Sequence, residues 1–261
     1  MTIEARHRTT GALAPHAPLS DYYQGEEERR RLVREFFDEM APSYEWIIRF
    51  MSLGAGDRYR RRVLKRAGLS QGMQVLDVAC GTGAISRQAV RLTGECSHVI
   101  GVDQSKAMLC ETRNHVNKTH AAPSPLVQGL AETLPFADCS FDFLSMGYAL
   151  RHVSDLNVTL AEYFRVLRPG GRLAILEFVR PASRLGFSAV HFFLYRVVPR
   201  VALIRSGKRQ GHEFMRYCWG TVDKSVPQGA ILAAIERCGF ENARYERQFM
   251  LGNYMATKPL A

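Results

Sequence analysis

Residues 75–83, Val-Leu-Asp-Val-Ala-Cys-Gly-Thr-Gly, are a short apolar run with an acid inside it and two glycines directly after. No other segment constrains the fold as much. Strand-forming residues without polar alternation describe a strand buried on both faces, which is the habit of parallel sheets. The same texture then repeats as strand and helix in turn: "AISRQAVRL", "HVIGVD", "SKAMLCETRNHV", "PLVQG", "FDFLSMG", "VTLAEYFRVL" and "RLAILEF". This alternation predicts an α/β fold, a mainly parallel twisted sheet with helices on both faces. Ligands of such sheets bind at the carboxyl ends of the strands, where strand order reverses.

The residues at those ends carry the chemistry. Gly81 and Gly83 let the backbone turn sharply and approach a ligand, while the amides opening the next helix offer positive partial charge. Alone, a glycine turn also fits a purely structural role. The third glycine of a dinucleotide fingerprint would fall at Ser86, which weakens a pyrophosphate reading. Asp77 ends the first strand. Asp103, twenty residues past Gly83, ends the next apolar run with Gln104 behind it. A carboxylate there either accepts both hydroxyls of a ribose or caps the following helix. Leu130 and Ala131 read as the end of a third strand and Phe141 to Gly147 as a fourth, with backbone and apolar groups suited to an adenine edge.

Residues 1–25 show no apolar periodicity and are expected to form a mobile tail. Residues 26–70 read as an N-terminal helical cap: Leu32, Val33, Phe36, Phe37 and Met40 fall at helical spacing, Pro42 predicts a break, and a second helix starts near Asp57. Residues 71–261 form the main domain, interrupted at about 182–220 by an aromatic-rich helical cap insertion. After it come a helix stopped at Gly239 and two closing strands. The six cysteines include no C-x-x-C pair, so free thiols and no metal are expected. No run reaches the roughly 18 uncharged apolar residues of a membrane span, and the N-terminus lacks a secretion-type apolar core; a cytoplasmic protein is expected. The net charge of +10 comes from arginine clusters interleaved with aliphatic and aromatic residues. That mixture fits peripheral contact with an anionic membrane, or a merely solvated helix face, better than a nucleic-acid arm.

Acid, Gly-x-Gly, ribose acid and an Ala-Glu-x-Leu-Pro-Phe segment together describe a nucleoside site without a phosphate cradle, which fits S-adenosylmethionine. The chain resembles the Rossmann-like class I methyltransferases, and specifically the UbiE-type ubiquinone/menaquinone biosynthesis C-methyltransferases. "VLDVACGTG", "AETLPFADCSFD", "ALRHVSD" and "FRVLRPGGRLAILEFVRP" carry the resemblance, which extends over roughly residues 33 to 255. It implies Thr82 by the methionine part of the cofactor, Asp103 on the ribose, and Leu130 and Ala131 beside adenine. Gly147 falls where the family usually has a cofactor-contacting serine, and Ala84 and Leu130 replace the usual polar residues. On the substrate side it implies Arg151, with His152 in the place of an asparagine and Tyr44 in a Tyr-acid pair completed by Glu45. His152 reads equally as a base or as a structural histidine, and Tyr44 as substrate contact or packing.

The implied activity is methyl transfer to a ring carbon of a hydrophobic quinol, of demethylmenaquinol or polyprenyl benzoquinol type. Methylation of another hydrophobic metabolite stands beside it, as does a non-catalytic, cofactor-binding accessory subunit. A homodimer is compatible with the sequence but not required by it.

Overall fold

The computed structural model describes residues 11–52, 54–117, 124–198, 200 and 210–260. Val75–Val78 (β1) is buried at every position because it has a strand on each side and helices on both faces. Val99–Asp103 (β2) and Phe141–Gly147 (β4) flank it in parallel, Leu126–Gln128 (β3) lies outside β2, and Leu167–Phe178 (β5) lies outside β4. Glu241–Gln248 (β6) and Leu251–Thr257 (β7) close the sheet as a hairpin, with β7 inserted antiparallel to β5. The order is β3-β2-β1-β4-β5-β7-β6. The chain moves outward from β1 to β3 and returns to β4, so the switch point lies at the carboxyl ends of β1 and β4.

Period-two alternation divides the core. From β1, Leu76 and Val78 pack with Leu156, Leu160 and Tyr163 of Leu156–Val166 (α5) and with Ile231 and Ile235 of Gln228–Arg237 (α8). Val75 faces the other layer, where Ser86–Thr93 (α3) and Gly56–Arg66 (α2) contribute Ala89, Val90, Val63 and Leu64. The second helix, expected within the N-terminal cap, thus belongs to the helical layer of the sheet. Lys106–Asn117 (α4) follows β2.

Above the strand ends lies a separate aromatic core. Met40 and Ile47 of Glu26–Met51 (α1) pack there with Val190 of Arg184–Phe192 (α6) and with Phe214, Met215 and Trp219 of Gln210–Asp223 (α7). Two expectations fail here. Pro42 does not break α1, which continues through it to Met51. A mid-helix proline costs about 3 kcal/mol, but α1 buries Val33, Met40 and Ala41 before the proline and Ile47 after it, and that burial offsets the cost on both sides of it. The supposed mobile tail is laid down from residue 11 onward. Leu19 and Tyr23 pack with Val33 and Tyr217, and the backbone bonds Ala17 N–H to Lys224 O at 3.1 Å and Val226 N–H to Pro15 O at 2.9 Å. A few apolar residues among prolines suffice for a strap when a groove awaits them. Residues 1–10, and residues 199 and 201–209 of the expected cap insertion, lie outside the described residues. Leu130 and Ala131 also differ from expectation: β3 stops at Gln128, and they occupy the turn beyond it, closed by a bridge from Leu130 to Thr133. Among the described residues no helix is long and apolar enough to cross a membrane.

Candidate active site

At the tips of β1 and β2 the backbone turns back through Gly81, with φ of +57°, and Gly83, with φ of +77°. The two glycines serve different ends. A Cβ placed on Gly83 would lie 2.8 Å from Thr112 Cγ2, so close packing of α4 requires its absence. One placed on Gly81 meets nothing within 4 Å, because it points into the pocket. The Gly81 N–H donates to Asp103 Oδ2 at 2.8 Å, and Ser105 N–H donates to Oδ1 at 2.8 Å. Burial nevertheless raises the Asp103 carboxyl to a pKa of about 6, against the pull of these two donors. Asp77 is fully buried and accepts from Ser86 Oγ at 2.5 Å and Ser145 Oγ at 2.8 Å. Each of its oxygens accepts from a hydroxyl of the protein, which fastens the start of α3 to β4, and the residue also lines the pocket. Burial lifts its carboxyl to about 6 as well.

α1 roofs this cradle through polar contacts spaced along its length. Arg29 Nη1 donates to the His152 carbonyl at 3.0 Å, Asp38 accepts from Ser105 Oγ at 2.5 Å, and Glu45 accepts from Thr82 Oγ1 at 2.8 Å and Arg87 Nη2 at 2.6 Å. The Thr82 hydroxyl is thereby committed to the roof. Arg87, which nothing in the sequence singles out, closes the latch by donating to the Thr82 carbonyl at 2.9 Å.

Below α1 lies a pocket of about 1050 Å³, counting its open mouth. Gln104, Leu130 and Ala131 line it at the β2–β3 end, together with Asp103; Gly147, Tyr148, Tyr44 and His152 line it at the β4 end. A Cβ on Gly147 would fall 2.2 Å from Ile85 Cδ1, so a side chain there requires the end of Ile85 to move. His152 meets Phe37 edge-on and stacks on Tyr217, whose hydroxyl lies 3.3 Å from Nδ1, and its Nε2 has no hydrogen-bond partner among the described residues. Burial first, and then the positive charge of Arg151, push the imidazole pKa well below its usual value, so the ring is neutral. Burial likewise raises the Tyr44 phenol, which stays protonated.

Arg151 and Gly83 are not brought to the pocket wall. The Arg151 guanidinium lies beneath the pocket, pairing with the Glu177 carboxylate and donating to the Tyr148 carbonyl at 2.7 Å. Sequence reasoning missed Glu177, because an acid within a long strand gives no sign of what it pairs with. It also missed Tyr148, which reaches the wall only by adopting a φ of +61°.

The sequence profile of the ubiE/COQ5 methyltransferase family matches residues 23–256. The chain belongs to the ubiE/COQ5 methyltransferase family. It is 32% identical over 219 residues to the ubiquinone/menaquinone biosynthesis C-methyltransferase UbiE of Hahella chejuensis, covering 84% of this chain and 87% of that protein. It is 38% identical over 175 residues to the demethylmenaquinone methyltransferase of Symbiobacterium thermophilum, covering 65% and 67%. In fold it is similar to phosphoethanolamine N-methyltransferase 2 of Haemonchus contortus, with a TM-score of 0.64 at 20% identity over 87% of this chain and 60% of that one.

This ubiE/COQ5 family member is thus a methyltransferase, and its methyl donor is S-adenosylmethionine. The pocket suits that donor on its own terms. A buried carboxylate at the β2 tip still has lone pairs free for a diol, Gly81 leaves open space beside it, and Leu130, Ala131 and Met108 offer an apolar slot for a base.

Proposed function

We propose that this enzyme methylates a ring carbon of a hydrophobic quinol of the demethylmenaquinol or polyprenyl benzoquinol type. The observation that carries the reading is the continuity of the pocket. From Asp103 and Gly81 it runs under α1 to an aromatic chamber walled by Phe37 and Tyr44, with the Nε2 of His152, which has no hydrogen-bond partner among the described residues, buried beside it. The relatives add weight, one being a ubiquinone/menaquinone biosynthesis C-methyltransferase and another a demethylmenaquinone methyltransferase. Asp103 holds the ribose, Gln104, Leu130 and Ala131 the adenine side, and the Gly81–Gly83 turn the methionine arm.

Bound S-adenosylmethionine supplies an electrophilic methyl group on a positively charged sulfur, and the protein's part is to align a carbon nucleophile and keep water out. α1 does the second. For the first, a neutral His152 accepts a hydrogen bond from the quinol hydroxyl and raises electron density at the neighbouring ring carbon. Its depressed pKa makes it a poor place for a proton to rest, so His152 polarises the hydroxyl rather than storing its proton. Tyr44 packs against the ring. Arg151 acts through others: it fixes the Tyr148 carbonyl and the Glu177 carboxylate beneath the chamber.

Mass spectrometry of quinones extracted from cells with and without the gene tests the reading. A quinone pool one methyl group lighter in the deletion strain is expected, restored by the wild-type gene but not by the Asp103→Ala form. An unchanged quinone pool with a different unmethylated metabolite would transfer the activity to another hydrophobic substrate.

A prenylated substrate resides in a bilayer, and the cap has a face suited to one. Leu185 and Phe192 are 83% and 62% exposed, seven residues apart on one face of α6, and Phe249 at the tip of the β6–β7 hairpin is 63% exposed beside Gly186. Arg247 donates to the Phe249 carbonyl at 3.1 Å and to the Arg180 carbonyl at 2.6 Å, and Arg184 opens α6 beside Leu185; all three arginines are exposed. Apolar tips within a basic rim match an anionic lipid surface. Co-sedimentation with phosphatidylglycerol vesicles at low salt is expected, falling at least severalfold with added salt or in a Phe192→Glu, Phe249→Ser variant. Equal sedimentation of wild type and variant would remove this patch from the membrane contact.

A further inference from the structure

Arg60 is a buried cation with unused capacity at the far end of the pocket. It sits on α2 with a side chain only 8% exposed, and it lines the pocket beside Tyr148. Its one ion-pair partner among the described residues is Asp57, at 3.2 Å through Nη1, and that carboxylate is half in solvent. The guanidinium carbon lies 5.6 Å from the centre of the Tyr148 ring, and Nε is buried without a hydrogen-bond partner among the described residues. A guanidinium removed from water to this extent calls for an anion, and a half-exposed surface acid supplies only part of one.

Strand order says which anion. Asp103 is at the tip of β2, while Tyr148 follows the tip of β4, so the buried carboxylate and the buried guanidinium face the same pocket from opposite sides of β1. A ligand with a diol at one end and a carboxylate at the other complements this pair of charges, and S-adenosylmethionine has both. The Thr82 hydroxyl, which could otherwise serve the methionine end, is held by Glu45. Glu45 itself is engaged by Arg87, which leaves Arg60 as the pocket-lining cation at this end.

We infer that Arg60 binds the α-carboxylate of the methionine arm of the cofactor by a charge-assisted hydrogen bond. The sequence hides this role, because Arg60 stands in "DRYRRRVLKR", where four arginines fall within five residues, a fifth follows at Arg66, and all read as a solvated helix face. Burial singles it out.

Titration calorimetry on the full chain with two ligands tests the assignment without any substrate. S-adenosylhomocysteine carries the amino-carboxylate end and 5′-methylthioadenosine lacks it. Arg60→Met, which keeps the apolar stem, is expected to weaken S-adenosylhomocysteine roughly tenfold or more while leaving 5′-methylthioadenosine within about twofold. Arg60→Lys, which keeps the charge, is expected to recover part of the loss. An equal loss for both ligands would make Arg60 a structural support of the pocket and overturn the proposal, as would undiminished S-adenosylhomocysteine affinity in Arg60→Met. Failure of the wild-type chain to bind either ligand would overturn the cofactor pocket as a whole, an outcome distinct from failure of Arg60 alone.

Discussion

Replacing Asp103 by Ala is expected to lower the affinity for S-adenosylhomocysteine by roughly a hundredfold or more in titration calorimetry. A carboxylate that accepts both ribose hydroxyls makes two charge-assisted hydrogen bonds, each worth about 1.5–3 kcal/mol. The substitution also strips the acceptor from the Gly81 and Ser105 N–H groups, which loosens the turn that faces the ligand. The pH dependence separates the two effects. With a pKa of about 6 in the free enzyme, Asp103 takes up a proton as pH falls through that value and one oxygen ceases to accept. Ligand affinity should therefore be full at pH 7.5 and decline below pH 6. Stability of the unliganded fold carries the opposite sign. Asp103 and Asp77 both have folded pKa values raised above the ordinary 3.8, so their contribution is fully present below about pH 4 and is lost as pH rises through about 6. Asp103→Asn is expected to bind weakly and to lose most of the pH dependence of binding. Near-wild-type affinity in Asp103→Ala would remove the ribose assignment.

The sheet was legible because its signal is local. Apolar runs such as Val75–Val78 and Val99–Val102 carry their burial in their own composition, and Gly83 is required wherever the following helices pack closely. The place of Asp103 at the pocket wall was legible for the same reason, as an ionisable group at the end of such a run. The rest depended on partners remote in sequence. Pro42 reads as a helix end until the aromatic cap on the far side of the chain is known to clasp both halves of α1. Residues 11–25 read as a tail because the groove that receives Leu19 and Tyr23 is made by α1 and α7. Among ten arginines between residues 29 and 66, sequence cannot separate the buried Arg29 and Arg60 from their solvated neighbours. Arg151 is the converse: the motif that names it leaves open whether its charge points at the pocket or away from it.

For that reason Arg151 is expected to show itself first as a residue of stability. Its guanidinium and the Glu177 carboxylate are each 7% exposed at the side chain and pair beneath the chamber. Arg151→Ala leaves a carboxylate buried without its counter-charge, a change that costs about 3–5 kcal/mol. For a chain of this size that lowers the melting temperature by roughly 10 °C. It also frees the Tyr148 carbonyl, and with it the residue that carries the pocket wall past β4, so turnover should fall together with stability. Removing both charges as Arg151→Met with Glu177→Leu is expected to restore most of the melting temperature, since neither partner is then left charged and alone. Turnover should not return with it, because the Tyr148 carbonyl still lacks its donor. The opposite pattern, an Arg151→Ala enzyme with an unchanged melting temperature, intact S-adenosylhomocysteine affinity and no turnover, would mean that the guanidinium leaves Glu177 during the reaction and meets the substrate itself.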